Sequence, residues 1–278
     1  MPEELKVFET VVEELRRDNP VVIAMITSKE GSGPRDIGAV MAVTIDGRKI
    51  GSIGGGAVEK YILEEARRAL KDLKTRKAKF ALRRENIPED AIPTNQVCGG
   101  VVEIMLKVVR PPSRIVVVGA GNVGKPLADI ANILGYRVVV LDTDPKLANR
   151  ERYPYAEHVE HGPVEELALK YAVKPWHYVV IVYGEVETDR KTLENLLRRD
   201  FPGHIWLLCS RRRAEYTLNK IREAVIDPDK YRDRIHMPAG LDIGADTPAE
   251  IAVSVLAEII AVMKGRRPPI RSLSTFSQ

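Results

Sequence analysis

The chain carries one compact phosphate-binding pattern. Ile115-Val116-Val117-Val118 runs directly into Gly119-Ala120-Gly121-Asn122-Val123-Gly124, and a helical pattern begins at Pro126. In a strand–turn–helix of this kind the first glycine permits the tight turn, the second lets a pyrophosphate approach the backbone, and the third lets helix and strand pack closely. The N-terminus of the following helix adds free N–H groups and the positive end of its dipole. Gly119, Gly121, Asn122, Val123 and Gly124 are therefore the candidate phosphate contacts. The next apolar run ends in Asp142, roughly 20 residues beyond the glycines, where a carboxylate accepts from a ribose diol and repels a 2′-phosphate. That favours NAD or another adenine nucleotide over NADP. The bare alternative is a doubly wound fold whose glycine turn holds no nucleotide. Asp144 is the expected cap of the turn before Pro145.

A second set of candidates lies outside that turn. Ser210-Arg211-Arg212-Arg213 directly follows an apolar run of strand length, where a doubly wound sheet opens its crevice. Ser210 and Arg211 are therefore candidate anion contacts, with a solvated helix start as the alternative. Gly54-Gly55-Gly56 precedes a helical pattern and offers a nest of backbone N–H groups for a phosphate. Arg35, in the loop Gly31-Ser32-Gly33-Pro34-Arg35, would add a charge-assisted bond. Cys98 is followed by Gly99-Gly100, so little side-chain bulk shields its thiol, whereas Cys209 closes a strand-like run where cysteine behaves as a small hydrophobe. His158, His161, His177, His204 and His236 are acid–base candidates by type alone, and no histidine–acid pairing is legible.

The elements that must position these groups follow from periodicity and turn chemistry. Leu5, Phe8, Val12 and Leu15 recur at helical spacing, predicting a helix over 3–17 that Asn19-Pro20 stops. Residues 21–27 read as a buried strand, 40–45 and 49–53 as a hairpin around Asp46-Gly47, and 58–70 as a helix. One strand is expected within 71–84, a loop over 86–93 and a further strand over Val101–Val109. Pro111-Pro112 breaks structure on both sides, and apolar runs at 115–118, 138–141, 179–182 and 205–208 then alternate with helical patterns. The expected fold class is α/β: a C-terminal doubly wound, Rossmann-like parallel sheet preceded by a smaller mixed α+β domain. Its expected boundaries are 1–110 and 111–265, with a basic tail at 266–278. Thr247-Pro248-Ala249-Glu250 is a capping box that starts a last helix over Pro248–Met263. Val253, Leu256, Ala257 and Ile260 are its expected sheet-facing residues.

Composition narrows the function classes. With 44% hydrophobic and 29% charged residues the chain buries a core, which excludes global disorder. A net charge of +4, interspersed, together with only 5% aromatic residues argues against a nucleic-acid surface or a base-stacking platform. The two cysteines form neither a CxxC clip nor a disulfide framework. The acidic start MPEELKVFET is unlike a signal peptide, and the apolar stretch 251–263 is too short to span a bilayer, so a soluble cytoplasmic chain is expected.

Several separated motifs, read together, resemble one family. They are Gly31-Ser32-Gly33-Pro34-Arg35, Gly51-Ser52-Ile53-Gly54-Gly55-Gly56-Ala57-Val58-Glu59, Cys98-Gly99-Gly100-Val101-Val102-Glu103, the glycine fingerprint, Ser210-Arg211-Arg212-Arg213, and the run from His236 through Gly240-Leu241-Asp242-Ile243-Gly244 to Pro248. Over residues 5–263 the sequence resembles the xanthine dehydrogenase accessory protein family, also called XdhC/CoxI. The resemblance implies a maturation factor that binds molybdenum cofactor (molybdopterin), protects it during sulfuration and delivers it to an apo molybdenum hydroxylase such as xanthine or carbon monoxide dehydrogenase. It implies a cysteine desulfurase-type sulfur donor as a second partner, and a homodimer is the expected state. Under this reading Arg35, Gly54, Gly55, Gly56, Cys98 and Gly99 are cofactor contacts, with Cys98 a soft donor to the metal. Three positions depart from the family pattern: Ala57 stands where cysteine often occurs, Tyr183-Gly184-Glu185 replaces a Thr-His-Asp-like stretch, and Cys209 replaces a glycine. An NAD-dependent oxidoreductase, suggested by the glycine turn alone, and a nucleotide-sensing module are the alternative classes.

Overall fold

A computed structural model describes residues 2–94 and 99–266 of the protein. The chain divides into two compact units, Met1–Pro111 and Pro112–Gln278.

The first unit is built from α1 (Glu3–Arg16), β1 (Val21–Glu30), β2 (Val40–Thr44), β3 (Lys49–Gly51), α2 (Gly56–Asp72), β4 (Arg76–Ala81), β5 (Ile92–Pro93) and β6 (Val101–Val109). Its six strands form one mixed sheet in the order β3-β2-β1-β6-β4-β5, in which β4 and β5 are the parallel pair. Neighbouring residues on a strand point to opposite faces. Val22, Ala24, Met41 and Val43 therefore pack with Ile62 and Ala66 of α2, while Val21, Val40 and Ala42 pack with Val7 and Val11 of α1. The β2–β3 hairpin turns at Asp46-Gly47, where Gly47 takes the left-handed conformation at φ +83°. Strand β1 outruns its apolar run: Ser28, Lys29 and Glu30 pair with β6 but lack an apolar signature.

The second unit contains β7 (Arg114–Val118), α3 (Gly124–Ile133), β8 (Arg137–Asp142), β9 (His158–His161), α4 (Val164–Tyr171), β10 (His177–Ile181), α5 (Val186–Arg198), β11 (His204–Leu207), α6 (Arg211–Glu223), a 3-10 turn (Pro228–Tyr231), β12 (Ile235–His236) and α7 (Pro248–Met263). All pairings of its sheet are parallel, and the order β12-β11-β10-β7-β8-β9 reverses direction between β7 and β10. That reversal is the topological switch point of a doubly wound sheet, and ligands of such sheets bind beyond the strand ends there. One core holds α3 and α7 against the sheet, including Leu127, Trp206 and Leu256; the other holds α4, α5 and α6. Just as β5 of the first sheet lies within the stretch expected to be a loop, the edge strands β9 and β12 are additions to the sequence reading. Their residues, His-Val-Glu-His and Ile-His, are partly exposed and show no apolar run.

Helix α7 begins in the expected capping box, with the Thr247 hydroxyl accepting the Glu250 N–H at 3.3 Å and the Glu250 carboxylate accepting the Thr247 N–H at 2.9 Å. Its buried face corrects the expected one. Ala252, Val255, Leu256 and Ile259 are buried, whereas Val253 is 48% exposed. The helix is apolar on most sides, so its periodicity did not define a phase. Leu256→Ala is expected to lower stability by about 2–5 kcal/mol and Val253→Ala by less than about 0.5 kcal/mol, read from urea unfolding.

Candidate functional site

At the C-terminal end of β7 the chain turns through Gly119 to Gly124, and each glycine there answers a different constraint. Gly119 takes φ +108°, and a Cβ on it would lie 2.5 Å from the Tyr183 Cα. A Cβ on Gly124 would lie 1.8 Å from the Gly119 carbonyl oxygen. These two glycines are required by the chain's own packing. Gly121 is not: a Cβ there meets nothing within 4 Å. Helix α3 starts beside it with no side-chain cap and no acidic residue in its first turn. The turn thus presents helix N-terminal amides beside open space, which fits a phosphate.

Ala120, between these glycines, is held on both sides. Its N–H donates to Asp142 Oδ2 at 2.7 Å, and its carbonyl accepts from Tyr153 Oη at 3.1 Å and Arg152 Nη2 at 3.3 Å. Asp142 is 4% exposed, and its Oδ1 accepts the Asp144 N–H at 2.9 Å. Its carboxylate therefore shapes the turn from within. Asp144 accepts the Lys146 N–H at 2.8 Å, the expected turn cap.

Beyond β10 and β11 the structure revises which groups of the basic cluster face inward. Ser210 is the N-cap of α6 and accepts the Arg213 N–H at 3.2 Å; it and Arg211 are exposed. Arg213 instead reaches Asp189 and the Gly184 carbonyl, while the Gly184 N–H donates to Asp189 Oδ2 at 3.3 Å. Asp189 Oδ1 is buried with no hydrogen-bond partner among the described residues. Burial pushes the Asp189 carboxyl up to about 6, outweighing Arg213. Burial also raises the Cys209 thiol, which suits the inert role expected of it.

In the first unit, segments far apart in sequence meet. A Cβ on Gly54 would strike Pro34 Cγ at 2.4 Å, and one on Gly100 would lie 2.2 Å from the Ser32 carbonyl oxygen. At the expected phosphate nest of Gly54, Gly55 and Gly56 the Gly54 N–H donates to Ser52 Oγ at 3.3 Å, and the Gly55 N–H is taken by Glu59. Its Oε1 accepts from Ile53 N at 3.1 Å, Gly55 N at 2.9 Å and Ser52 Oγ at 2.5 Å, and Lys49 Nζ donates to Oε2 at 2.6 Å. A glutamate one turn into a helix reads as surface charge in sequence, so its return to the turn is not legible there. Arg35 pairs with Glu3 at 3.2 Å on the surface. Gly99 faces open space at φ +87°, and Cys98 lies outside the described residues. Arg83, which the sequence reading passed over, has a buried Nε with no hydrogen-bond partner among the described residues.

The histidines do not gather at the glycine turn, although His161 ends β9 in register with Asp142 at the same end of the sheet. His158, His177 and His204 open their strands, at the opposite end of the sheet from the turn. His236 faces Glu258 at 3.4 Å, a histidine–acid pairing that sequence did not reveal, and the same carboxylate accepts from Trp206 Nε1 at 2.9 Å and Gly240 N at 2.7 Å. Among the described residues no group of three or more His, Cys, Asp or Glu is placed to hold a metal ion. No helix among them is long and apolar enough to cross a membrane.

Two of the buried carboxylates, Glu59 and Asp189, give opposite pH signatures. Burial pushes Glu59 up, but Lys49, Ser52 and the two amides outweigh it and hold the carboxyl at about 2, below its ordinary 4.5. Its stabilisation is present above pH 4.5 and is lost as pH falls toward 2. Asp189, raised from 3.8 to about 6, acts the other way: stability is lost as pH rises through that window. Urea unfolding across pH is expected to show Glu59→Gln flattening the acid limb below pH 4.5, and Asp189→Asn removing the decline between 3.8 and about 6.

Comparison with known proteins places this geometry. The XdhC Rossmann domain matches residues 115–259, and the XdhC and CoxI family matches residues 14–82. An uncharacterized protein of Escherichia coli K12, YqeB, is 32% identical over 259 residues, covering 93% of this chain and 46% of its own length. A probable xanthine dehydrogenase subunit from Bacillus subtilis is 31% identical over 156 residues, covering 56% of this chain and 44% of its own. The chain thus spans about half the length of the curated relatives it matches. A crystal structure from Bacillus halodurans, described as a xanthine dehydrogenase, shares the fold at a TM-score of 0.50 and 21% identity, with 100% of this chain and 99% of that chain covered. With its Rossmann unit matched almost from end to end and its N-terminal unit matched by the same family, the chain belongs to the XdhC and CoxI family.

Proposed function

We propose that this chain is a maturation factor for a molybdenum hydroxylase of the xanthine dehydrogenase type. In this reading it binds molybdenum cofactor, keeps it through sulfuration by a cysteine desulfurase-type donor, and passes it to the apo-hydroxylase in the cytoplasm as a homodimer. When bound, the cofactor supplies the molybdenum centre that the client uses for hydroxylation. Cys98, beside the small Gly99 and Gly100, is the soft donor from this chain toward that centre. Separately, the glycine turn of the second unit binds the phosphates of an adenine nucleotide such as NAD, with Asp142 disfavouring a 2′-phosphate.

The observation that carries the phosphate part is Gly121, the one glycine of the fingerprint with no packing reason to be glycine. Gly121→Ala is expected to fold like the parent and to bind NAD about tenfold more weakly, close to 1.4 kcal/mol. Gly124→Ala is expected to lose stability instead, since its methyl group meets the Gly119 carbonyl. NADP is expected to bind more weakly than NAD. Unchanged NAD affinity in a folded Gly121→Ala variant would contradict the assignment.

The cofactor part is tested by anaerobic gel filtration of the full chain with molybdenum cofactor, followed by metal analysis and absorbance. The parent and Cys209→Ser are expected to retain molybdenum, and Cys98→Ser to lose it at an unchanged melting temperature. Equal retention by the parent and Cys98→Ser would remove Cys98 from the site. Failure of the parent to retain any would overturn the maturation reading.

A further inference from the structure

Tyr183 follows β10, and Thr143 follows β8; their hydroxyls are 2.7 Å apart. In the sheet, β7 lies between β8 and β10. Two strand spacings make about 10 Å, so a bond joining these two positions passes over the end of β7, where the glycine turn begins. Beneath it lies Asp142, adjacent to Thr143, with its oxygens bonded inward to Ala120 and Asp144. In a doubly wound fold this side of the turn receives the nucleoside, whose ribose meets the carboxylate that ends the second strand.

The backbone carrying Tyr183 is fixed. Val182 N donates to the Val118 carbonyl at 2.8 Å, Gly119 leaves no room between itself and the Tyr183 Cα, and Gly184 is bonded through its N–H to Asp189 and through its carbonyl to Arg213. The phenol side chain is consequently the part free to swing, and Thr143 is exposed. On the other side, the space at Gly121 is open without any movement.

We propose that Tyr183 and Thr143 form a strap that divides the crevice, a specificity-determining pair that leaves the phosphate position accessible and admits a nucleoside only when their hydrogen bond breaks. The proposal rests on the reading of the glycine turn as a phosphate site. Breaking one neutral hydrogen bond costs about 0.5–1.5 kcal/mol. Removing the bond by mutation therefore raises the affinity for a nucleoside-bearing ligand and leaves a bare phosphate unaffected.

The test is calorimetric titration of the full chain with ADP and with inorganic pyrophosphate, in the parent, Tyr183→Phe, Thr143→Val and the double variant. The expected result is ADP binding about three- to tenfold tighter in both single variants, no further gain in the double variant, and pyrophosphate binding unchanged throughout. Detectable ADP binding in the variants alone supports the strap equally. ADP affinity that stays the same or falls in the single variants overturns it while leaving the phosphate site intact. ADP failing to bind any variant that does bind pyrophosphate also overturns it. Failure of both ligands with all four proteins overturns the phosphate site, and the strap with it.

Discussion

The crevice depends on a carboxylate bonded to a turn. Asp142 ends β8 and accepts the Ala120 N–H at 2.7 Å from a buried position, locking the start of the glycine turn to the neighbouring strand. Tyr153 and Arg152 take the Ala120 carbonyl on the other side. With both polar groups of Ala120 satisfied, the turn cannot relax into a wider loop, and the amides that follow are left at the head of α3. A buried carboxylate is costly unless backbone donors compensate it, and here two do. Preorganisation of this kind is what an anion site needs, because the protein dipoles are in place before the ligand arrives.

The two units use similar glycine-rich, helix-starting sequences to opposite ends. In the Gly54-Gly55-Gly56 segment the Gly55 amide, together with that of Ile53, turns toward an anion, and that anion is Glu59 of the same chain, held ionised by Lys49 and Ser52. At Gly119 to Gly124 no acid occupies the first turn of the helix. A single glutamate thus separates a structural nest from an open one. The first locks α2 to the segment after β3; the second leaves its amides for something else.

The parts of this arrangement that are local in sequence were legible as sequence. Strand β7, its glycine turn and α3 form one contiguous stretch, β6 carries a clear apolar run, and α7 is announced by its capping box. Strands β9 and β12 were not legible, because each is short and polar and is defined by its pairing with the strand before it in the chain. The contacts that define the site's character are non-local: Arg213 with Asp189, and Tyr183 with Thr143. Periodicity reports which face of an element is buried and is silent on which polar groups will meet. That is why the bonds of Arg213 to Asp189 and of Glu59 to the Gly55 amide were not legible.

The central claim is that the open anion site of this chain is the glycine turn of the second unit. It is tested most directly by amide NMR of the isotopically labelled protein titrated with inorganic pyrophosphate. The largest shifts are expected at Gly121, Asn122 and Val123, with the Ile53 and Gly55 amides unmoved because Glu59 already holds them. Shifts concentrated at Ile53 and Gly55, with the glycine turn silent, would contradict it.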